Sequence, residues 1–385
     1  MADWVVVVDD DMTNLKMAGH ILSKYGMRVT ALKSGTALLD YVKNNQPDLI
    51  LLDIIMPGLD GFETMEALKK QMTPRKEIPI IFLTADENRE SEMRGLQLGA
   101  MDFIRKPFVP EILVLRVQHT IELVRLQRAL LKENQRISSE LAMAQRIQKA
   151  MLPNVFPAFP ERPEIDIYAS MDPMRKVGGD FYDFFFVDED HLCLVIADVS
   201  GKGMPAALFM MASKIVLLDS AKTGKSPARI LEDANAAICA NNKEDMFVTT
   251  WVGILELSTG KLTAASAGHE YPVLLGSTER FELLKDKHGL VLGISSDETY
   301  EEYTLQLIPG AKVFVYTDGV TESTSRENEL FGKKRLLEAL NRNPGGNPKQ
   351  VLQEVRETVN AFVQNAEQAD DLTMMCVEYR GPTDG

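Results

Sequence analysis

Positive charge is in short supply in this sequence. Its 42 lysines and arginines face 56 aspartates and glutamates, a formal net charge of −14 over 385 residues. Phosphate backbones attract basic faces, so this balance argues against a nucleic-acid partner. Cysteine is scarcer still. Cys193, Cys239 and Cys376 are scattered with neither a pairing nor a metal-ligand spacing, which points to a reducing cytoplasm rather than a disulfide framework. No apolar run reaches the roughly 20 residues needed to cross a bilayer. The N-terminus enters a strand directly rather than a signal peptide, so no membrane association is expected. Neither glycine nor proline occurs between Pro110 and Pro153. What is present in ordinary measure is apolar side chain: 45% of the sequence is hydrophobic, enough to fill the cores of the two to three domains that this length suggests.

The first hundred residues hold four short apolar runs that each end in a polar group. WVVVVDD ends in Asp9 and Asp10, DLILLD in Asp53, IPIIFLT in Thr84, and MDFIRKP in Lys106 and Pro107, with helix-like segments between them. In an open parallel α/β sheet, sites form outside the carboxyl ends of the strands. Asp9, Asp10 and Asp53 would make an oxygen-rich pocket suited to Mg²⁺, leaving Asp53 able to attack a phosphoryl group. Lys106 could neutralise a phosphoryl oxygen and Thr84 could donate a hydrogen bond to another. Taken singly, the acidic run could be a helix cap at Asp11 and PGLDG a plain turn. The four ends in order favour the site.

Over residues 1–122 the sequence resembles the response-regulator receiver family, at the acidic pair, Asp53, Thr84 and Lys106–Pro107. The resemblance implies a (βα)₅ flavodoxin-like fold that accepts phosphate on Asp53 from a sensor histidine kinase or phosphotransfer protein. It also marks Phe103 as an aromatic that turns inward with Thr84 on activation; by alternation alone, Phe103 is simply core.

The stretch between Pro110 and Pro153, which includes the linker at 123–152, is rich in Leu, Glu, Gln, Arg and Ala, all good helix formers. The uninterrupted stretch permits one helix of about 63 Å. Leu123, Leu130, Ile137, Ala144 and Met151 repeat every seven residues, with Leu141 on the companion position and Gln127, Asn134 and Gln148 as polar interruptions. That pattern predicts a helical coiled-coil linker and a homodimer; polar seam positions weaken a coil but specify its register. A solitary amphipathic helix docked on its own domain is the alternative. PNVFPAFPERP then reads as a helix stop and an extended linker.

From residue 153 to about 380 the pattern changes to strand hairpins with few helices, which predicts packed antiparallel sheets flanked by helices. Asp180 lies in VGGDFYD, Asp198 closes LCLVIAD, Asp318 closes VFVYTD, and Asp370 and Asp371 open DLTMMCVEY, most with glycines alongside. No Ser-His-Asp or Cys-His set accompanies them, nor a Walker-type glycine loop. Carboxylates without a protein nucleophile suggest two hard metals, about 3.5–4 Å apart, that deprotonate a bridging water for attack on a phosphate ester. Any one of these aspartates could be a turn or cap residue; four with flanking glycines favour the site.

VGGDFYD, ADVSGKGMPAAL, YTDGVTE and ADDLT together resemble the metal-dependent protein phosphatase (PPM) family, in particular its bacterial branch acting on phosphoserine anti-anti-sigma proteins; AQRIQKAMLP resembles the segment preceding that branch. The resemblance implies an αββα sandwich and two Mn²⁺ or Mg²⁺ ions held by Asp180, Asp198, Asp318, Asp370 and the Val199 carbonyl. It further implies in-line attack by a metal-bridged hydroxide. Asp371 ranks below Asp370, because the better-known branch often has Asn there. Arg175 or Lys176 could grip phosphate, or be a solvated surface pair. His269 could be a general acid, although a structural role at a strand-to-turn corner is preferred. Glu322 could orient Asp318 or cap a loop. The whole implies a cytoplasmic response regulator whose Asp53 phosphorylation controls a serine/threonine phosphatase and, through it, a sigma factor. The alternative is a low-turnover adaptor that sequesters or releases a protein partner. A receiver driving nucleotide cyclisation or transcription has no supporting motif.

Overall fold

The structure is a computed structural model describing residues 2–382 except 72–76, 86–88, 286–287, 365 and 367. The chain forms two compact units, Met1–Ile137 and Ser138–Gly385.

In the first unit, strands and helices alternate: β1 (Trp4–Val8), α1 (Met12–Lys24), β2 (Arg28–Leu32), α2 (Gly35–Tyr41), β3 (Leu49–Asp53), α3 (Gly61–Gln71), β4 (Ile80–Thr84), α4 (Arg89–Gln97), β5 (Asp102–Arg105) and the start of α5 (Pro110–Met151). The sheet is parallel with order β2-β1-β3-β4-β5. Its inner strands β1, β3 and β4 are buried on both faces, which explains their nearly unbroken Val/Ile/Leu runs. Side chains alternate between two cores. Val5, Val7, Leu49, Leu51, Ile81 and Leu83 pack with α1 and α5 residues; Val6, Val8, Ile50, Leu52 and Phe82 pack on the other face with Phe62 and Phe103. Asp11 caps α1, its carboxylate accepting from the Thr13 N–H at 2.7 Å. Asp60 and Glu63 form a reciprocal capping pair at the start of α3.

Helix α5 is 42 residues long. Leu113, Val114, Val117 and Ile121 anchor its first turns in the receiver core. Beyond them Leu123, Leu126, Leu130 and Ile137 are exposed in the single chain. Gln148 departs from the expected seam. It is 3% exposed, with its amide engaged by the backbone of the second unit.

The second unit continues with β6 (Ile165–Asp172), β7 (Phe181–Phe186), β8 (His191–Val199), α6 (Met204–Ala221), α7 (Pro227–Asn241), β9 (Val248–Glu256), β10 (Lys261–Ala267), β11 (Val273–Leu275), β12 (Phe281–Leu283), β13 (His288–Gly289), β14 (Glu302–Gln306), β15 (Lys312–Tyr316), α8 (Asp318–Thr321), α9 (Gly332–Leu340), α10 (Pro348–Val363) and β16 (Leu372–Tyr379). One sheet has the order β13-β10-β9-β8-β7, with β14 also on β10; the other runs β12-β11-β15-β16-β6. The period of two along a strand sorts its side chains. Val313 and Val315 of β15, with Met375 and Val377 of β16, share a core with β7 and β8. Phe314, Tyr316, Met374 and Cys376 point the other way, into a core with α9 and α10. Cys193 and Cys376 are buried in β8 and β16, while the half-buried Cys239 thiol donates to Asn235 Oδ1 at 3.5 Å.

Two expectations are corrected here. The proline-rich stretch 153–163 is not an extended linker. Phe156 packs on Tyr168 and Phe159 on Phe186, with ring centroids 4.6 and 4.8 Å apart, because its aromatics bury more readily than they stay solvated. An apolar run of membrane-crossing length does exist: α6 has 18 residues and a mean hydropathy of 1.4. It packs as a core helix through Ala206, Met210, Leu217 and Ala221, and its buried Lys214 pairs with the buried Asp183 of β7.

Candidate active sites

At the carboxyl ends of the receiver strands, Asp9, Asp10 and Asp53 bring three carboxylate oxygens within 4.8 Å of one another. Lys106 Nζ lies 2.6 Å from Asp9 Oδ2 and 2.8 Å from Asp53 Oδ2. Asp9 also accepts from the Asp11 N–H at 2.9 Å and from Asn14 Nδ2 at 3.2 Å. Burial raises the Asp53 carboxyl above its usual range, opposed by Lys106. An all-oxygen pocket of this kind fits Mg²⁺. Thr84 is buried at the end of β4, and Phe103 is buried with its ring 5.6 Å from that of Phe82.

The second unit gathers its acidic motifs at one end of its sheets. Asp180 stands just before β7 rather than closing a strand, β8 runs one residue past Asp198, and Asp318 opens the short helix α8. These carboxylates form a cluster in which Asp198 feels the charge of Asp318, Asp370 and Asp371, and Asp318 that of Asp370. Burial, then Asp198 and Asp371, push the Asp180 carboxyl well up; the Thr317 hydroxyl donates to its Oδ2 at 2.6 Å. Burial and the neighbouring Asp318 push Asp198 up to about 7. Burial, then Glu322, Asp370 and Glu270, push Asp318 up to about 6. Crowded, partly buried carboxylates repelling one another are short of positive charge. Lys202 Nζ, 2.9 Å from Asp370 Oδ2, supplies some of it. The buried Val199 carbonyl adds a further oxygen, and a Cβ on Gly179 would sit 2.8 Å from it. An oxygen-only donor set of this charge fits hard divalent ions.

Asp371 is turned elsewhere. Its carboxylate accepts from the backbone N–H groups of Met174 at 2.7 Å, Gly179 at 2.6 Å and Asp180 at 3.3 Å. It holds the loop that presents Asp180. A Cβ at Gly178 would lie 2.1 Å from Asp371 Oδ2, so only glycine fits there. Gln148 grips the same loop: its Nε2 donates to the Gly178 carbonyl at 2.7 Å, and the Gly178 N–H donates to its Oε1 at 3.2 Å. Gln148→Leu leaves both backbone groups buried and unmatched. A loss of about 1–3 kcal/mol is expected, read as a lower denaturant midpoint.

A cleft of about 230 Å³ opens on Asp198 and Asp318, with His269, Glu270, His288 and Lys333 in its walls. His269 is 2% exposed; its Nδ1 is 2.9 Å from Thr249 Oγ1 and its backbone N–H donates to Ser266 Oγ at 3.3 Å. That tethering suits a corner-holding role. Glu322 is exposed at the end of α8, its N–H donating to the Asp318 carbonyl at 2.7 Å. Arg175 and Lys176 are exposed and do not line the cleft. Sequence reasoning missed Thr317, Gln148, Glu270 and Lys333. Thr317 was signalled by its place beside Asp318; the others had no local signal, because their partners lie far away in sequence.

Residues 5–118 match the response regulator receiver domain family, and residues 188–380 match the Stage II sporulation protein E (SpoIIE) family. Protein IcfG of Synechocystis sp. is 30% identical over 268 residues, covering 63% of this chain and 41% of that protein. Phosphoserine phosphatase RsbU of Bacillus subtilis is 29% identical over 246 residues, covering 64% of this chain and 72% of that protein. The chain thus spans about two fifths of the first relative's length. Among solved structures, the SiaA-PP2C domain of Pseudomonas aeruginosa shares the fold, with a TM-score of 0.58 at 20% identity over 64% of this chain and 98% of that one. The first unit's parallel sheet falls within the receiver match and most of the second unit within the other: the chain belongs to the Stage II sporulation protein E family, with a response-regulator receiver domain ahead of a domain that has the PP2C fold.

Proposed function

We propose that the chain is a phosphorylation-controlled protein serine/threonine phosphatase, acting on a phosphoserine anti-anti-sigma protein to regulate a sigma factor in the cytoplasm. The observation that carries this is the cluster of crowded, mostly half-buried carboxylates opening on a small cleft, in a chain that also holds a lysine-clamped Asp53. Asp180, Asp198, Asp318, Asp370 and the Val199 carbonyl hold two Mn²⁺ or Mg²⁺ ions. When bound, such ions supply an activated water and offset phosphoryl charge. Thr317 fixes the Asp180 carboxylate through its hydroxyl, Asp371 and Gln148 fix the loop beneath it, and the cleft admits the phosphorylated side chain.

In the receiver, Asp9, Asp10 and Asp53 hold Mg²⁺, and a sensor histidine kinase or phosphotransfer protein donates the phosphoryl group to Asp53. Lys106 then moves its charge onto the new phosphoryl oxygens, and Thr84 and Phe103 repack with it. The change reaches the phosphatase domain through α5, which forms a homodimeric coil along Leu123, Leu130 and Ile137. The coupling needed is about 1–3 kcal/mol.

The test is phosphate release from a serine-phosphorylated anti-anti-sigma protein with Mn²⁺ or Mg²⁺, with and without beryllofluoride as phosphoryl mimic. Beryllofluoride is expected to change the rate roughly 5- to 150-fold, and Asp53→Ala to remove that response while leaving metal-dependent turnover. Inserting two residues after Glu133 rotates the two ends of α5 relative to each other and is expected to uncouple the response; regulation surviving unchanged would rule out a rigid coil. Tight binding of the phosphoprotein without turnover in any state would favour the adaptor.

A further inference from the structure

Two divalent ions would offset part of a phosphoserine's charge, but the four carboxylates that hold them cancel most of their own, so a protein cation beside Asp198 and Asp318 would add to substrate binding. Among the described residues lining the cleft, Lys333 is the sole lysine or arginine. It is held at the rim by Glu270, with Nζ 2.8 Å from Oε2, and it lies over the Tyr271 ring, 5.1 Å from the centroid. Tyr316 Oη donates to the same Glu270 oxygen at 3.4 Å, fixing the carboxylate that holds the lysine.

The placement of Lys333 also runs against helix stability. It sits in the first turn of α9, in the run GKKR with no acidic residue in that turn, where the helix dipole disfavours cations. Arg335 is drawn away to Glu329 at 3.1 Å, and Lys334 is almost fully solvated. Lys333 alone turns its charge to the cleft. The cleft volume of about 230 Å³ falls below the roughly 300–1,000 Å³ of drug-sized sites, which suits a phosphorylated side chain.

We infer that Lys333 is the residue that grips the substrate phosphate, exchanging Glu270 for a phosphoryl oxygen when the phosphoserine enters. This rests on the phosphatase reading above. A flexible ammonium binds phosphate as a point charge, so the effect falls on binding rather than on the chemical step.

The experiment uses the full chain with Mn²⁺, a synthetic phosphoserine peptide as substrate, and inorganic phosphate as competitive inhibitor. K333M is expected to raise both KM and the phosphate inhibition constant roughly tenfold to a hundredfold, with kcat changed less than about threefold. K333R should recover most of the loss. Mn²⁺ binding followed by electron paramagnetic resonance, and the melting temperature, should match wild type. KM and phosphate inhibition unchanged in K333M would overturn the assignment and leave Lys333 as a surface partner of Glu270. If the wild type turns over no peptide, peptide binding by fluorescence anisotropy decides. Binding lost in K333M and kept in K333R upholds Lys333 while the catalytic reading falls; binding indifferent to position 333, or none, sinks both.

Discussion

Asp198→Ala is expected to lower metal-dependent phosphate release by roughly a thousandfold or more. Asp198 has Asp180, Asp318 and Asp370 as neighbours, so its loss would remove a carboxylate from the centre of the proposed metal site. Metal assistance is worth several kcal/mol in the transition state, and each 1.36 kcal/mol is about tenfold in rate. The same site makes a second, opposite expectation for stability. Burial and Asp318 raise the Asp198 carboxyl to about 7 in the fold, against about 3.9 in the unfolded chain. A raised carboxyl favours the fold below the unfolded value and loses that contribution as pH rises through about 7. Asp198→Asn removes the ionisation while keeping the shape. In metal-free protein it should gain about 1–3 kcal/mol at pH 8, the gain shrinking as pH falls from about 7 and gone below about 4. Urea melts of the chelator-treated pair at both pH values measure this; equal stability at pH 8 would mean that the carboxylate is not held against its charge.

Asp371→Ala and Asp370→Ala should part company. Asp371 accepts three backbone N–H groups of the loop ahead of β7, two of them in buried glycine and aspartate. Deleting it strands those donors, at an expected loss of about 3 kcal/mol or more, a large share of the roughly 5–15 kcal/mol that holds a domain together. Asp370 faces Lys202 with its side chain 31% exposed, so Asp370→Ala should cost about 1 kcal/mol or less in stability while lowering Mn²⁺ stoichiometry. Denaturant melts and Mn²⁺ titration together separate a clamp from a ligand. A stable Asp371→Ala protein that has lost a Mn²⁺ would identify Asp371 as the ligand instead.

The difference between these neighbours shows what a sequence can and cannot convey here. ADDLT announces two carboxylates at a strand start, but which one faces the loop depends on β16 pairing with β6 and on the backbone of residues 174–180. The receiver was legible because β1, β3 and β4 are apolar runs buried on both faces and the parallel order aligns their ends. Helix α6 was also legible: it begins and ends where the apolar stretch MPAALFMMASKIVLLDSA does, whereas α8 and α9 carried no such signal. Strands β11 to β13 have two or three residues each, too short for alternation to register. Gln148 was misplaced on a coil seam because its spacing from Leu141 is genuine; its burial comes from Gly178, 30 residues on. Phe156 and Phe159 were hidden among prolines, whose turn chemistry outweighed the pull of two aromatics toward the core.

The cysteines have a practical consequence. Burial pushes the Cys193 and Cys376 thiols far up, and a thiol held protonated is a poor nucleophile. Cys239 alone is partly open. With Cys239→Ser the native chain becomes a silent background for maleimide chemistry. One cysteine placed at Leu130 or Ile137, both exposed, can then carry a spin label without competition. Distances between labels on two copies would report α5 directly, before and after beryllofluoride, with the phosphatase carboxylates untouched.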